Sequence, residues 1–463
     1  MKKLPYRFWI AVMIFFGAYT NFALRVNVVL SIQAMTKPIA APNFDAVPEC
    51  LLSKSNESNT KEEVNLPNYG TRFDWSQLII GHSLNSYFWG YLVGSLPSGA
   101  IAERIGPFKV IFWFSLISAV LNALCVPAAY LHHNLFIIIR FMIGVLGTFM
   151  FPSFHILIAK WSPPLERCRF TSAMMGNGLA VVTNWPIISA LTVNFGWSWG
   201  FYIVSFQLLL YCLVFWFLCS DLPEQNRLVS SDEVAYIKSS QMNSVSRKKQ
   251  WAPYLSIISS RSFWILTICH MGCLYGFYIE ITSLPKYMAE VIGYNLNTLS
   301  GPIGVFPHLF RIIVAIVSAS IADWMAVKGF ATVKGLRRVF TIFSHILPGL
   351  MTIGFAISYC NVVAVIFILV GLGINGTCVM TNLVNVQDLA PNFAGTLFGF
   401  ISFFGGITGI LVPMLQAFFI RNNNGLKEWS RYFYSGGVFY ILSGTLFIVS
   451  GVFEEEPWNA IHE

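Results

Sequence analysis

The chain has 463 residues, 56% of them hydrophobic and only 11% charged, and a soluble globular chain carries about a quarter charged residues, so an ordinary soluble domain is excluded. The net charge of +8 would suit a nucleic-acid partner, but its distribution follows membrane topology instead. No GxxxxGK[ST] loop, HExxH, CxxCH or paired CxxC motif is present, so nothing points to ATP hydrolysis, zinc proteolysis or haem attachment, and the reading is of a non-enzyme without a cofactor.

The first apolar run starts near Phe8, after MKKLPYR, and contains Arg25. It is too long for a signal peptide and lacks a small-residue cleavage site, so it reads as a retained span. Further apolar runs of about 20 residues fall near 77–101, 108–130, 134–158, 171–193, 200–219, 263–284, 300–322, 337–358, 361–384, 393–420 and 432–453. These predict an all-α, polytopic membrane protein of twelve spans with both termini on one side. The loop 34–76 is polar and carries the sequon Asn56-Glu57-Ser58, predicted to face the lumen or exterior and to be glycosylated. Of nine cysteines only Cys50 lies there, so no disulfide framework follows. Asn375-Gly376-Thr377 also matches the sequon, but within a span, where no modification is expected.

The fourth run carries Arg140, passes Gly144, Gly147 and Pro152 to His155, and ends at a Trp161-Ser-Pro-Pro turn loaded with Glu166, Arg167 and Arg169. Pro163-Pro164 cannot continue a helix, so the chain is expected to break there. The polar, basic segment 220–261 divides the spans six and six, giving halves 1–219 and 262–463 joined by a linker with a short helix around Asp232–Ser240. The boundary between the tenth and eleventh runs is soft, because Asn385, Gln387, Asp388 and Pro391 interrupt it.

Most lysines and arginines outside the spans, among them Lys2, Lys3, Arg104, Lys109, Arg247 and Lys248, fall on the side of the termini. Cytoplasmic loops retain such residues, so both termini and the linker are expected in the cytoplasm. The two halves share a motif. Glu103-Arg104 follows the second run and Asp323, then Lys328, follows the eighth, 220 residues apart at equivalent places. Two parallel six-helix repeats with a site at their interface describe a rocking transporter.

Gly99…Glu103-Arg104-x-Gly106…Lys109 resembles the loop signature of the major facilitator superfamily. The finer resemblance is to its anion transporters, which include sialin, the vesicular glutamate transporters and the type I sodium–phosphate cotransporters. It is carried by Ala23-Leu-Arg25-Val-Asn27, Phe88-Trp89-Gly90-Tyr91, Arg140 with Pro152-x-x-His155, Trp161-x-Pro-Pro-x-Glu166-Arg167, Pro307-His308 and Asn385-x-x-Asp388. The resemblance implies a monomeric secondary transporter of organic or inorganic anions, coupled to Na⁺, H⁺ or membrane potential, in the plasma membrane or a lysosomal or vesicular one. It also has departures. Sialin-like members carry carboxylates on the fourth span where this chain has Ile143 and Gly147. The glutamate transporters have a histidine at Leu84 and an arginine at Cys273.

A charge inside a hydrophobic span marks a substrate or ion pathway by default; the alternative is an arginine snorkelling to the headgroups. Arg25 and Arg140 fall in the outer half of their spans, and two guanidiniums facing one passage call for an anion between them. With Arg311 they are the candidate substrate-binding residues, expected on a central cavity lined by spans one, four, seven and ten. Glu103, Arg104, Glu166, Arg167 and Asp323 are candidate gate residues, with solvated loop charge as the alternative, and Glu166 or Arg167 is expected to meet Glu103 and Arg104. His155 is a candidate coupling residue, or else a histidine bonded to backbone. Glu280 and Arg311 lie at similar depths on neighbouring spans and are expected to form an ion pair or to open together on the cavity. Two other functions remain open, a facilitator of neutral solutes and a non-transporting sensor.

Overall fold

A computed structural model describes residues 4–37, 70–241, 250–288, 291, 302–358, 362–421 and 425–460. Asn56, Cys50 and most of the 34–76 loop lie outside the described residues. The main elements are α1 (Arg7–Met35), α2 (Gln77–Ile105), α3 (Pro107–Leu131), α4 (His133–Trp161), α5 (Pro164–Phe195), α6 (Ser198–Leu218), α7 (Arg261–Ser283), α8 (Pro302–Val327), α9 (Val333–Ile357), α10 (Ile366–Leu389), α11 (Ala394–Phe419) and α12 (Leu426–Ser450). Among the described residues, eleven helices are long and apolar enough to cross a membrane. The remaining long helix, α2, spans 29 residues but dilutes its apolar surface with His82, Asn85 and several serines and glycines. A separate linker helix occupies Ser231–Gln241, where a short helix was expected.

The helices are long because a chain in lipid must satisfy its backbone internally. Where they break, sequence and packing give the reason. Pro163-Pro164 ends α4, Ser162 leaving the helix in an extended conformation. α4 also loosens at Thr148–Phe149, between Gly147 and Met150. α7 widens into a π turn at Ile279–Ser283 and α9 into another at Ile342–Ile346. α10 tightens into a 3₁₀ turn at Gly376–Met380 and resumes as a short helix at Asn385–Leu389, the place where the apolar run was interrupted. Such irregular backbone is tolerated at membrane depth only when buried in protein or lining a polar passage.

The first and last described segments of the chain lie at one end of the bundle with the linker helix. Glu233 of that helix accepts from the backbone N–H groups of Tyr6 and Arg7 at 2.8 and 3.0 Å, and Gln241 donates to the carbonyls of Ala159, Lys160 and Ser162. At the tail, Glu456 N donates to Leu389 O at 3.0 Å. At the opposite end, Phe73 pairs by backbone with Met35 and Lys37. Phe73, Trp75, Tyr130, Phe136 and Trp197 form a ring cluster there, as amphipathic rings do at a membrane interface.

Small residues set how closely the helices approach. A methyl on Gly144 of α4 would overlap the Tyr87 carbonyl of α2, a contact inside the amino-terminal bundle. A methyl on Gly99 of α2 would overlap the Gly395 carbonyl of α11, a contact between the bundles. The two substitutions therefore separate folding from conformation. Gly144→Ala is expected to lower thermal stability in detergent, by about 1–3 kcal/mol for an overpacked core. Gly99→Ala should leave the melting temperature near wild type and raise thiol labelling at the terminal end, because only the closed arrangement is crowded. Equal stability losses in both variants would contradict this division.

Candidate functional site

At the terminal end the two bundles are joined by acids on helix N-termini. Glu103, near the end of α2, accepts from Thr396 N at 2.8 Å and from Thr396 Oγ1 at 2.7 Å, at the start of α11. Asp323, near the end of α8, accepts from the backbone N–H groups of Cys168 and Arg169 at 3.2 and 3.0 Å, at the start of the short helix Arg167–Ser172 that leads into α5. A helix N-terminus presents unsatisfied N–H groups and a partial positive charge, so a carboxylate is a fitting partner. Each acid of the repeated motif thus caps a helix of the other half. Arg169 adds a looser contact to Asp323 at 3.8 Å.

The other candidates at this end are deployed differently from expectation. Glu166 does not meet Glu103 or Arg104; it pairs with Arg7 at 2.8 and 3.0 Å. The reason is local, since the α4–α5 turn lies beside the start of α1, and Glu233 of the linker helix binds the same arginine at 3.1 Å. Arg167 crosses to the carboxy-terminal half and donates to Gln387 O at 3.2 Å, while the Arg104 guanidinium stands 4.4 Å from the centroid of Trp251. Arg337 and Asp388 form a buried pair at 2.8 Å, and Arg337 also reaches Cys168 Sγ at 3.4 Å. His155 is wholly buried against Phe398, ring centroids 4.1 Å apart, and its Nδ1 meets the Gln387 amide at 2.5 Å. Its backbone-bonded alternative is not realised; the partner is a side chain of α10.

Deeper in the bundle, Arg25 stands where α1 and α2 meet α7. Its guanidinium carbon lies 4.5 Å from the Phe88 centroid, 4.9 Å from Tyr278 and 5.4 Å from Phe22. Among the described residues no carboxylate lies within ion-pair distance of it. Rings stabilise a cation on their faces, and the Tyr278 hydroxyl lies within hydrogen-bond reach of the guanidinium, but no described carboxylate fills its planar fork, whose geometry suits carboxylate or phosphate oxygens. Arg140 is 0% exposed. It turns back into its own bundle, donating from Nη1 to Leu24 O at 2.8 Å, and its Nε has no partner. Tyr87, whose ring centroid is 5.5 Å from the Arg140 guanidinium, carries a hydroxyl within electrostatic reach of both arginines. At Gly147 the chain leaves a void of about 10 Å³ lined by Asn21, Ser115, Ser118 and Met150.

The expected Glu280–Arg311 ion pair is absent from the described structure. Arg311, 5% exposed, donates from Nε to Asn375 Oδ1 at 3.0 Å and lies 4.5 Å from the Phe277 centroid. Glu280 sits on the π turn of α7, and this displaces its carboxylate toward Gly371 of α10, with Oε2 buried and unpartnered. Asn375 was passed over as a false sequon, yet it is the hub of the carboxy-terminal bundle, also donating to Tyr440 Oη at 2.6 Å and Cys273 Sγ at 3.4 Å. An asparagine inside an otherwise apolar run was the signal available for it.

The sequence model described as Major Facilitator Superfamily matches residues 8–413. Sialin of Homo sapiens is 27% identical over 456 residues, covering 98% of this chain and 90% of the relative. Vesicular glutamate transporter 2 of Mus musculus is 26% identical over 469 residues, covering 98% of this chain and 75% of its own. Among solved structures, the proton:xylose symporter XylE bound to 6-bromo-6-deoxy-D-glucose aligns with a TM-score of 0.66 at 13% identity, over 96% of this chain and 95% of that one. This last likeness concerns the fold alone.

The capping geometry makes a direct prediction. Glu103→Ala and Asp323→Ala each remove a pair of hydrogen bonds to a charged group, worth roughly 1.5–3 kcal/mol per bond, from the closed arrangement. Cys168, buried between Asp323 and Arg337, should then react with a maleimide at least several-fold faster than in wild type, as mapped by peptide mass spectrometry. Unchanged Cys168 labelling in both variants would show that the caps do not hold the end shut.

Proposed function

The chain belongs to the Major Facilitator Superfamily, and from that premise we propose that it is a secondary transporter of small anions of the carboxylate or phosphate class, working by alternating access. The observation that carries the reading is Arg25, a guanidinium at the junction of the two bundles, walled by three rings and with no carboxylate partner among the described residues. A facilitator of neutral solutes has no use for an uncompensated cation there, and such a cation is costly unless a ligand completes it.

In this reading the anion takes the Arg25 fork, and Phe22, Phe88 and Tyr278 keep water from it. Arg140 stays behind Tyr87, anchored to Leu24 O, and supplies positive potential without touching the anion. Arg311 faces the passage from the other bundle across Phe277 and is the third candidate contact. The helix caps of Glu103 and Asp323, with Arg167 on Gln387 O, form the gate on the side of the termini. That side is cytoplasmic by the excess of Lys and Arg, which places Asn56 outside or in a lumen for glycosylation. The protein divides into halves 1–219 and 262–463 and a linker 220–261, acts in the plasma membrane or a lysosomal or vesicular one, and draws on a cation gradient or the membrane potential.

Reconstituted protein should take up radiolabelled phosphate, glutamate or sialate into proteoliposomes, and unlabelled anions but not neutral sugars should compete. Arg25→Ala should lower that uptake at least tenfold. Arg25→Lys should restore it only in part, because a point charge replaces a bidentate fork. Full uptake by Arg25→Ala would remove Arg25 from the site, and competition by sugars alone would replace the anion reading with the neutral one.

A further inference from the structure

α4 offers no acid within its membrane-spanning length, Ile143 and Gly147 standing among its apolar residues. One carboxylate remains deep in the described part of the opposite bundle. Glu280 lies on the Ile279–Ser283 π turn of α7, and such turns recur where a side chain must be presented out of helical register. Among the described residues neither of its oxygens accepts a hydrogen bond, and Oε2 is buried. Its neighbour across the bundle is also incomplete, because Arg311 Nη1 is buried without a partner.

Resting on the transport reading above, we propose that Glu280 is the proton-binding group that couples this carrier to a pH gradient, with Arg311 as its alternate partner. A buried, dry carboxylate is satisfied in two ways. Either a proton from water on the entry side forms an O–H bond at Glu280, leaving it neutral and apart from Arg311 as the structure has it, or that bond breaks toward water on the exit side and the carboxylate closes on the open Nη1 of Arg311. No other bond changes, and no electron is transferred.

The surroundings favour a proton over a metal cation. The charged and titratable groups facing Glu280 are Arg311, with His308 beside it on α8, and Tyr440 of α12. Tyr432 of α12 is held by Ser283 at 2.7 Å. α9 and α10 contribute Met351 and Gly371, and α11 carries no titratable side chain along its length. Tyr440 Oη already receives Asn375. A hard cation takes a shell of oxygen ligands, and beyond the carboxylate the side chains named here offer only hydroxyls already engaged in hydrogen bonds.

The geometry also links the proton to the anion. An anion on Arg25 and a proton on Glu280 quench one charge in each bundle, so the loaded carrier takes up both together and the two move in the same direction. From Arg311 a polar chain runs through Asn375 to the Ser344 carbonyl. It continues from Ser344 Oγ to Thr381, Asn382 and His270. His270 and His155 both lie against Phe398, where the bundles meet.

The test uses wild type and Glu280→Gln in proteoliposomes with labelled phosphate and labelled glutamate. Wild type should accumulate one of these at least tenfold faster when its own side is acidic, with no effect of a Na⁺ gradient. Glu280→Gln should keep exchange of labelled for unlabelled anion at symmetric pH and lose the acceleration. Retained acceleration in the variant, or acceleration by Na⁺ that the variant abolishes, would overturn the proposal. Loss of exchange in Arg25→Ala bears on the anion site alone. A readout independent of substrate is the infrared difference between acid and alkaline purified protein. A protonated-carboxyl band present in wild type and missing in Glu280→Gln is expected, and a difference spectrum unaltered by the substitution would overturn the proposal whatever the anion.

Discussion

At the terminal end the two bundles meet through a carboxylate placed on a helix N-terminus, used twice. Glu103 closes on the amide and hydroxyl of Thr396, and Asp323 on the amides of Cys168 and Arg169. In each case the acid belongs to one bundle and the helix to the other. Exposed ion pairs contribute little, about 0–1 kcal/mol. A half-buried carboxylate accepting two hydrogen bonds at a helix start is stronger and directional, and it can be broken as a unit. Charge alone explains the repeated acid less well than this geometry, since the neighbouring cations do something else. Arg104 lies on Trp251, and Lys328 follows beyond the end of α8.

Above that end the bundle treats its three membrane arginines unequally. Arg140 is folded into its own bundle and bonded to a carbonyl, Arg311 is tied to Asn375, and Arg25 stands at the junction of both bundles among aromatic rings and the Tyr278 hydroxyl, with no carboxylate partner among the described residues. The other two each hold one hydrogen bond to an oxygen of their own bundle and keep one buried N–H group without a partner among the described residues. The departures from straight helix fall in the same region. The tight turn of α10 brings Cys378 Sγ to 3.9 Å from Arg311 Nη2, the π turn of α9 sets His345 Nε2 2.9 Å from the Cys269 carbonyl of α7, and the π turn of α7 carries Glu280 toward Gly371 instead.

The long helices, the break at Pro163-Pro164 and the linker helix were legible in the sequence, because hydrophobic length and proline act locally. The equivalent places of Glu103 and Asp323 in the two halves were legible from the repeat, and the placing of Arg25 and Arg140 within the bundle from the apolar runs around them. Partner choice was not. Glu166 chose Arg7, an element 159 residues away, and no spacing rule ranks Arg7 over Arg104. The Glu280–Arg311 pair failed for a related reason. The depths were counted along two ideal helices, but the π turn rotates residue 280 off the face that a regular helix would present. Asn375 and Tyr87 were missed because a single polar residue in an apolar run says nothing of its partner until the helices are packed.

The claim that the two caps hold the terminal end closed is tested most directly by a distance across it. Spin labels at Leu165→Cys and Phe330→Cys, exposed positions of opposite bundles, would be introduced in a background where no other thiol reacts, and pulsed dipolar spectroscopy would record their separation. Wild type should give a single short distance, and the double variant Glu103→Ala/Asp323→Ala should move most of the population to a longer one. A distribution that the double variant leaves unchanged would contradict the account.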